Sequence, residues 1–183
     1  MKIAISGKMC SGKTTATKHL QSLDESFVTM SFADPIYELA EIYFGMDREN
    51  KDRDLLIHIG ESFRAKDPDV WVRHFMNLSN IAAGAGHNIL SDDARLVNEL
   101  EALKQHGWIT IRLEVSRDEQ LRRLKAKYPD TYADHVENLE HATETALDNE
   151  YDLFDVVMNA DLPKPEFEAA LSDIYNSYHN ILE

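Results

Sequence analysis

Short apolar runs alternate along the chain with longer stretches in which apolar residues recur every three or four positions, the signatures of buried strands and of helices with one apolar face. Lys2 to Ser6, carrying Ile3-Ala4-Ile5, predicts a strand and Lys13 to Leu23 a helix; Phe27 to Phe32 and Pro35 to Phe44 repeat the pair. Asp67-Pro68 predicts an N-cap with proline at the first helical position, opening a helix whose Trp71, Phe75, Leu78 and Ala82 share an inward face. After a turn at Gly84-Ala85-Gly86, Asn88 to Ser91 predicts a buried strand. Ala94 to His106 then predicts a helix with Leu96, Leu100 and Leu103 inward, ended by Gly107. Trp108 to Val115 predicts another strand, Asp118 to Lys127 a basic helix, Phe154 to Met158 a last strand and Pro163 to Leu182 a closing helix. Tyr128 to Asp148 is polar and shows no clear strand. Five strands separated by helices, with no internal repeat, predict an α/β fold: a five-stranded parallel sheet with helices on both faces.

One loop adds chemistry to this frame. Gly7-Lys8-Met9-Cys10-Ser11-Gly12-Lys13-Thr14 is a complete G-x-x-x-x-G-K-[ST] phosphate-binding loop, with a predicted strand before it and a predicted helix after it. That spacing lets successive backbone N–H groups curl round a β-phosphate, with Lys13 as a point charge on the β/γ-phosphates and the Thr14 hydroxyl on Mg²⁺. ATP and Mg²⁺ are therefore the expected cofactors, with Gly7 to Thr15, Thr15 included, forming the nucleotide site. Cys10 occupies a variable position of the loop, where a small filler and a reactive thiol are both open readings.

Length and charge narrow the partners. The 183 residues suit one domain, and the net charge of −14 works against a nucleic acid polymer, whose phosphates need clustered Lys and Arg. A small anionic substrate needs only a few local cations. One cysteine excludes an internal disulfide, and no leading apolar stretch is long enough for a signal peptide or a membrane span, so a reduced, cytoplasmic setting without membrane attachment is expected.

Two further groups of residues have the right chemistry. The connection from Arg117 to Asp148 is long and polar, and Arg117, Arg122 and Arg123 gather positive charge there. They suit either a lid closing over a triphosphate, with catalytic arginines, or a solvated helix face pairing with Asp118 and Glu119. Asp92 and Asp93 follow the strand ending at Ser91, where open α/β sheets bind ligands. At least one is expected to serve the metal, although either equally suits the N-cap of the next helix.

The phosphate loop, Phe32-Ala33-Asp34-Pro35, Ile59-Gly60-Glu61-Ser62-Phe63-Arg64 with Asp69-Val70-Trp71-Val72, Asp93-Ala94-Arg95 with Asn98-Glu99, and His141-Ala142-Thr143-Glu144 with Asn159 occur in one order. In that order and spacing the chain resembles the deoxynucleoside monophosphate kinases of tailed bacteriophages, within the nucleoside monophosphate kinase superfamily. The resemblance spans nearly the whole chain and implies a P-loop kinase core with a helical substrate-binding insertion, about residues 34–83, and a lid, about 117–148. It implies transfer of the ATP γ-phosphoryl to a (deoxy)nucleoside monophosphate, in the host cytoplasm if phage-encoded, and leaves a homodimer open. It places Arg64 and Arg95 on the acceptor phosphate, Asp34 at the opening of the substrate helix, Trp71 near the base pocket or in the core, and Asp93 and Glu144 in substrate-binding motifs. The chain departs from the family pattern in carrying Tyr37 where a basic residue is common and in reading Leu96-Val97 before Asn98-Glu99, which leaves base specificity open. Other readings are a kinase of a phosphomevalonate- or dephospho-coenzyme A-type metabolite, a kinase of a hydroxylated base in DNA, and a phosphate-loop switch.

Overall fold

The computed structural model describes residues 1–140 and 142–182. Five parallel strands form one sheet in the order β2-β3-β1-β4-β5. They are β1 (Lys2–Gly7), β2 (Phe27–Thr29), β3 (Asn88–Ser91), β4 (Ile109–Glu114) and β5 (Val156–Asn159). β1 lies at the centre, paired through Lys2, Ile3 and Ala4 with β3 and through Ile3 to Gly7 with β4. A central parallel strand is covered on both faces, and this is why Ile3-Ala4-Ile5 is uninterruptedly apolar. Ile3 and Ile5 face a core with Leu20 of α1 (Lys13–Leu23) and Phe167 and Leu171 of α9 (Lys164–Leu182). Ala4 faces the opposite core, where Phe75 of α4 (Val70–Gly84) and Leu100 and Leu103 of α5 (Val97–Gln105) meet Trp108.

Between β2 and β3 the chain makes three helices, α2 (Asp34–Phe44), α3 (Arg53–Lys66) and α4, with a separate small core of Ile36, Ala40, Ile59 and Trp71. α6 (Arg117–Lys127) follows β4, and two short helices, α7 (Tyr132–Glu137) and α8 (Ala142–Thr145), occupy the polar stretch before β5. Among the described residues no helix is long and apolar enough to cross a membrane.

Several predicted boundaries move, each for a local reason. β2 stops at Thr29 because the Ser31 N–H bonds to Asp34 and the Ala33 N–H to Asp93, turning the chain out of the sheet. Asp67 does not open α4: its N–H closes α3 on the Phe63 carbonyl at 2.9 Å and its carboxylate pairs with Arg73. α4 begins at Val70, and Leu78 is 42% exposed, because Trp71, Val72, Phe75, Met76 and Ser79 form the buried face instead. α5 begins at Val97, since Glu99 reaches back to the Arg95 and Leu96 N–H groups at 2.8 and 3.0 Å and holds them outside the helix. Burial pushes the Glu99 carboxyl up to about 7, and those two N–H bonds oppose the shift.

The carboxyl end of β1 is crowded. Gly7 has φ +156°, and a Cβ there would lie 2.5 Å from the Ser11 hydroxyl and 2.8 Å from the Leu113 carbonyl, which is backbone and cannot yield. Gly7→Ala is expected to destabilise the fold by about 3 kcal/mol through overpacking and strain. Gly86→Ala, at φ +90° with nothing within 4 Å, should cost only about 1 kcal/mol. Urea unfolding compares the two, and equal midpoints would contradict the close approach.

Candidate active site

The sheet ends at a cradle built from β1, the loop after it and the start of α1. Within the loop Ser11 N–H bonds back to the Lys8 carbonyl at 3.1 Å, while Cys10 and Gly12 take left-handed φ values of 63° and 104°. Cys10 adopts a conformation costly for a side-chain-bearing residue because the loop must curl its amides inward. Gly12 caps α1 without a side chain and the first turn holds no acid, so no side chain of that turn competes with an anion for its N–H groups. Lys13 Nζ donates to the Gly7 and Lys8 carbonyls at 2.6 and 3.0 Å. Desolvation in the loop draws its pKa from 10.5 down to about 8, with Arg95 adding to the drop and Glu144 and Asp92 opposing it.

A cavity of about 770 Å³ opens over this loop, bounded by Met9 to Thr15, Arg95, Glu119, Arg122, Arg123, Lys127, residues 160–164 and Phe167. Its volume lies in the range of nucleotide-sized sites. One wall is cationic, and Leu162, Pro163 and Phe167 make another apolar. Arg123 ties the walls together: Nη1 donates to the Cys10 carbonyl at 3.3 Å, Nη2 to the Ala160 carbonyl at 2.6 Å and Nε to Glu119 at 2.7 Å. Hydrogen bonds from Arg122 and Arg123 draw the Glu119 carboxyl down to about 2. Burial raises the Cys10 thiol above its ordinary value, which keeps it protonated and favours the filler reading over a reactive thiol.

The predicted site residues divide sharply. Lys13, Thr14, Thr15, Arg95 and Arg123 line the cavity; Arg122 is at its rim, with a side chain 69% exposed and paired with Glu119. Arg117 is outside it, bonded to Gln120 and Glu140, so it does not join the other two arginines. Lys8 turns away to Asp148 at 2.7 Å. Asp92 faces the loop side and accepts from the Thr17 hydroxyl at 3.3 Å. Asp93 does not: its oxygens accept from the Ser31 and Ser91 hydroxyls and the Ala33 N–H, so it builds the turn into α2, and burial raises its pKa. Asp34 likewise serves that turn through the Ser31 N–H. Trp71 is in the small core, 4% exposed, with its indole N–H on the Gly60 carbonyl at 3.2 Å and its ring against Phe63, and is not presented to a base pocket. Glu144 is buried and bonds Arg95 and the Met9 N–H. Arg64 has no hydrogen bond or ion pair among the described residues, but its charge reaches Glu99. His141 lies outside the described residues.

Sequence reasoning missed Lys127, the wall from Ala160 to Phe167, and the bonds that Gln120 and Asp148 make to the loop. A cation one helical turn beyond Arg123 was the available signal for Lys127. Among the described residues no three His, Cys, Asp or Glu cluster as a metal cage. The donors near the loop are instead a hydroxyl and a carboxylate, hard oxygens of the kind that hold Mg²⁺ together with a nucleotide.

The chain matches the family described as AAA domain over residues 3–143 and belongs to it. No curated protein matches it in sequence. Among solved structures it is similar to a dephospho-CoA kinase from Campylobacter jejuni (13% identity, TM-score 0.57, all of both chains covered). It is also similar to a shikimate kinase from Bacteroides thetaiotaomicron (16%, TM-score 0.53, 98% of both chains). A third is a sugar kinase from Janibacter sp. (17%, TM-score 0.56, 93% of this chain and 92% of that one). At these identities the shared feature is the P-loop kinase fold.

Desolvation that draws the Lys13 pKa down to about 8 gives a pH signature. Phosphate anions favour its charged form, so nucleotide affinity is highest below pH 8 and falls up to about tenfold per unit above it. Folding stability behaves oppositely: the folded pKa is below the unfolded 10.5, the unfolded chain binds more protons between about 8 and 10.5, and stability rises across that window. Titration calorimetry with ADP from pH 7 to 9.5 measures the first effect, which Lys13→Met should abolish. A flat affinity in the unmutated protein would contradict the desolvated ammonium.

Proposed function

We propose that this protein transfers the γ-phosphoryl group of ATP to the phosphate of a nucleoside monophosphate, giving ADP and the diphosphate. The observation that carries this reading is Arg95. From the turn before α5 its guanidinium reaches the cavity over the phosphate loop, where a second anion beside the triphosphate would meet a planar fork of donors. Arg64 is outside that cavity's lining but adds a guanidinium with no hydrogen bond or ion pair among the described residues, its charge reaching the Glu99 that holds the Arg95 N–H. The resemblance to phage deoxynucleoside monophosphate kinases extends the acceptor to deoxynucleotides.

Little covalent chemistry is asked of the protein. The loop amides and Lys13 hold the donor phosphates, and Lys13 neutralises charge as the bond to the leaving ADP oxygen loosens. Mg²⁺ would be held by Thr14 and, through water, by Asp92; when bound it supplies further neutralisation of the phosphate oxygens. Arg123, braced between Cys10 and Ala160, fixes the nucleotide wall. The acceptor phosphate oxygen is already a nucleophile, so Arg64 and Arg95 need only aim it in line.

A second reading has its own support. Asp92 has a single hydrogen bond among the described residues, to Thr17, and is close enough to Lys13 for their charges to interact. A carboxylate so placed suits the base for a hydroxyl acceptor, as in a kinase of a small metabolite.

A coupled ADP-release assay across ribo- and deoxynucleoside monophosphates and hydroxyl acceptors separates the two. At least one mononucleotide should be phosphorylated. Lys13→Ala should lower kcat by about 10²- to 10³-fold. Arg64→Ala and Arg95→Ala should each raise the acceptor KM about tenfold or more while leaving ATP affinity within twofold. Turnover only with hydroxyl acceptors, or loss of ATP binding in either arginine variant, would overturn the reading.

A further inference from the structure

Glu144 is a buried carboxylate whose two oxygens serve different parts of the site. Oε2 accepts from the Met9 N–H of the phosphate loop at 2.7 Å, and Oε1 accepts from Arg95 Nη1 at 2.6 Å. The two partners belong to separate halves of the fold, the loop after β1 and the turn before α5. We infer that Glu144 is a positioning residue that couples the nucleotide loop to the acceptor arginine, so that each ligand tightens the binding of the other. This rests on the reading that Arg95 receives the acceptor phosphate.

The bridge is rigid at its loop end. The Met9 peptide is gripped from both sides, its N–H by Glu144 and its carbonyl by the Gln120 side-chain amide at 2.9 Å, and Asp148 holds the neighbouring Lys8 at 2.7 Å. That grip falls next to Cys10, the one non-glycine residue with positive φ among the described residues. The loop curvature that nucleotide phosphates need is thus the curvature in which Glu144 is seated. At the other end Arg95 has a side chain 44% exposed, long enough to sample many rotamers, and Glu144 selects one of them. A carboxylate only 5% exposed loses much if either donor leaves, because it then stays buried with half its hydrogen bonds. Movement of the loop on nucleotide binding is therefore felt at Arg95, and by linkage an anion drawing Arg95 away is felt at Met9.

Glu144→Gln separates this role from simple support, since the amide oxygen still accepts from Met9 while the amide NH₂ cannot accept from Arg95. Titration calorimetry with a non-hydrolysable ATP analogue and a mononucleotide should show each tightening the other about tenfold in the unmutated protein and less than twofold in Glu144→Gln. The acceptor KM at saturating ATP and, by the same linkage, the ATP KM at saturating acceptor should each rise about tenfold, while ATP affinity without acceptor stays within twofold, and Glu144→Gln added to Arg95→Ala should change the acceptor KM by less than twofold more. Effects that multiply in the double variant, or undiminished mutual tightening in Glu144→Gln, would overturn the proposal. An independent arm needs no acceptor: in ¹⁵N-labelled protein, Arg95→Ala should shift the Met9 amide resonance although Arg95 makes no hydrogen bond to Met9, and an unmoved resonance would also overturn it. A protein that binds no mononucleotide fails the proposed function, while the Met9 arm still decides the bridge.

Discussion

An ammonium held by the carbonyl oxygens of its own loop is the constraint on which the site depends. Lys13 has Gly7 and Lys8 as its hydrogen-bond acceptors among the described residues, and desolvation makes its charge costly until an anion arrives. In a chain with 33 acidic residues this requires that the nearby carboxylates be occupied elsewhere. Three of them are: Glu144 is committed to Arg95 and Met9, Asp93 to the turn before α2, and Asp148 to Lys8 and Arg112, while Asp92, bonded to Thr17, stays close enough to Lys13 to oppose part of the drop. The cavity lining carries Lys13, Arg95, Arg122, Arg123, Lys127 and Lys164 against the carboxylates of Glu119 and Asp161, a local charge opposite in sign to that of the whole molecule.

The sheet supplies the rigidity for this arrangement. β1 is central and buried on both faces, so Gly7 at its carboxyl end is fixed against Leu113 of β4, and the loop departs from a point that cannot drift. Asp92 directly follows the neighbouring β3 and Arg95 comes three residues later, before α5, which brings metal-type and phosphate-type groups to the carboxyl edge of the sheet beside the loop after β1.

Much of this was legible in the sequence because it is local. The loop spacing, the apolar continuity of β1 and the 3.6-residue periods of α1, α4 and α9 follow from residues near one another, and the parallel five-stranded sheet came from their alternation. What was illegible is long-range. Nothing near Trp71 signals that its indole N–H finds Gly60, so a core tryptophan and a base-stacking one look alike. Asp92 and Asp93 are adjacent, and only the path of the chain through Ser31 and Ala33 decides which is consumed by structure. The three arginines of the expected lid separate for the same reason: Arg123 faces the loop, Arg122 edges the rim and Arg117 looks outward to Glu140, according to their angles round α6.

The most direct test of phosphoryl transfer to a mononucleotide is ³¹P NMR of the protein with ATP, Mg²⁺ and a mixture of mononucleotides. Transfer predicts that each ATP γ-signal lost is matched by two nucleoside diphosphate β-signals, one from ADP and one from the acceptor diphosphate, with no growth of inorganic phosphate. Loss of the γ-signal into inorganic phosphate alone, with every mononucleotide unchanged, would contradict it.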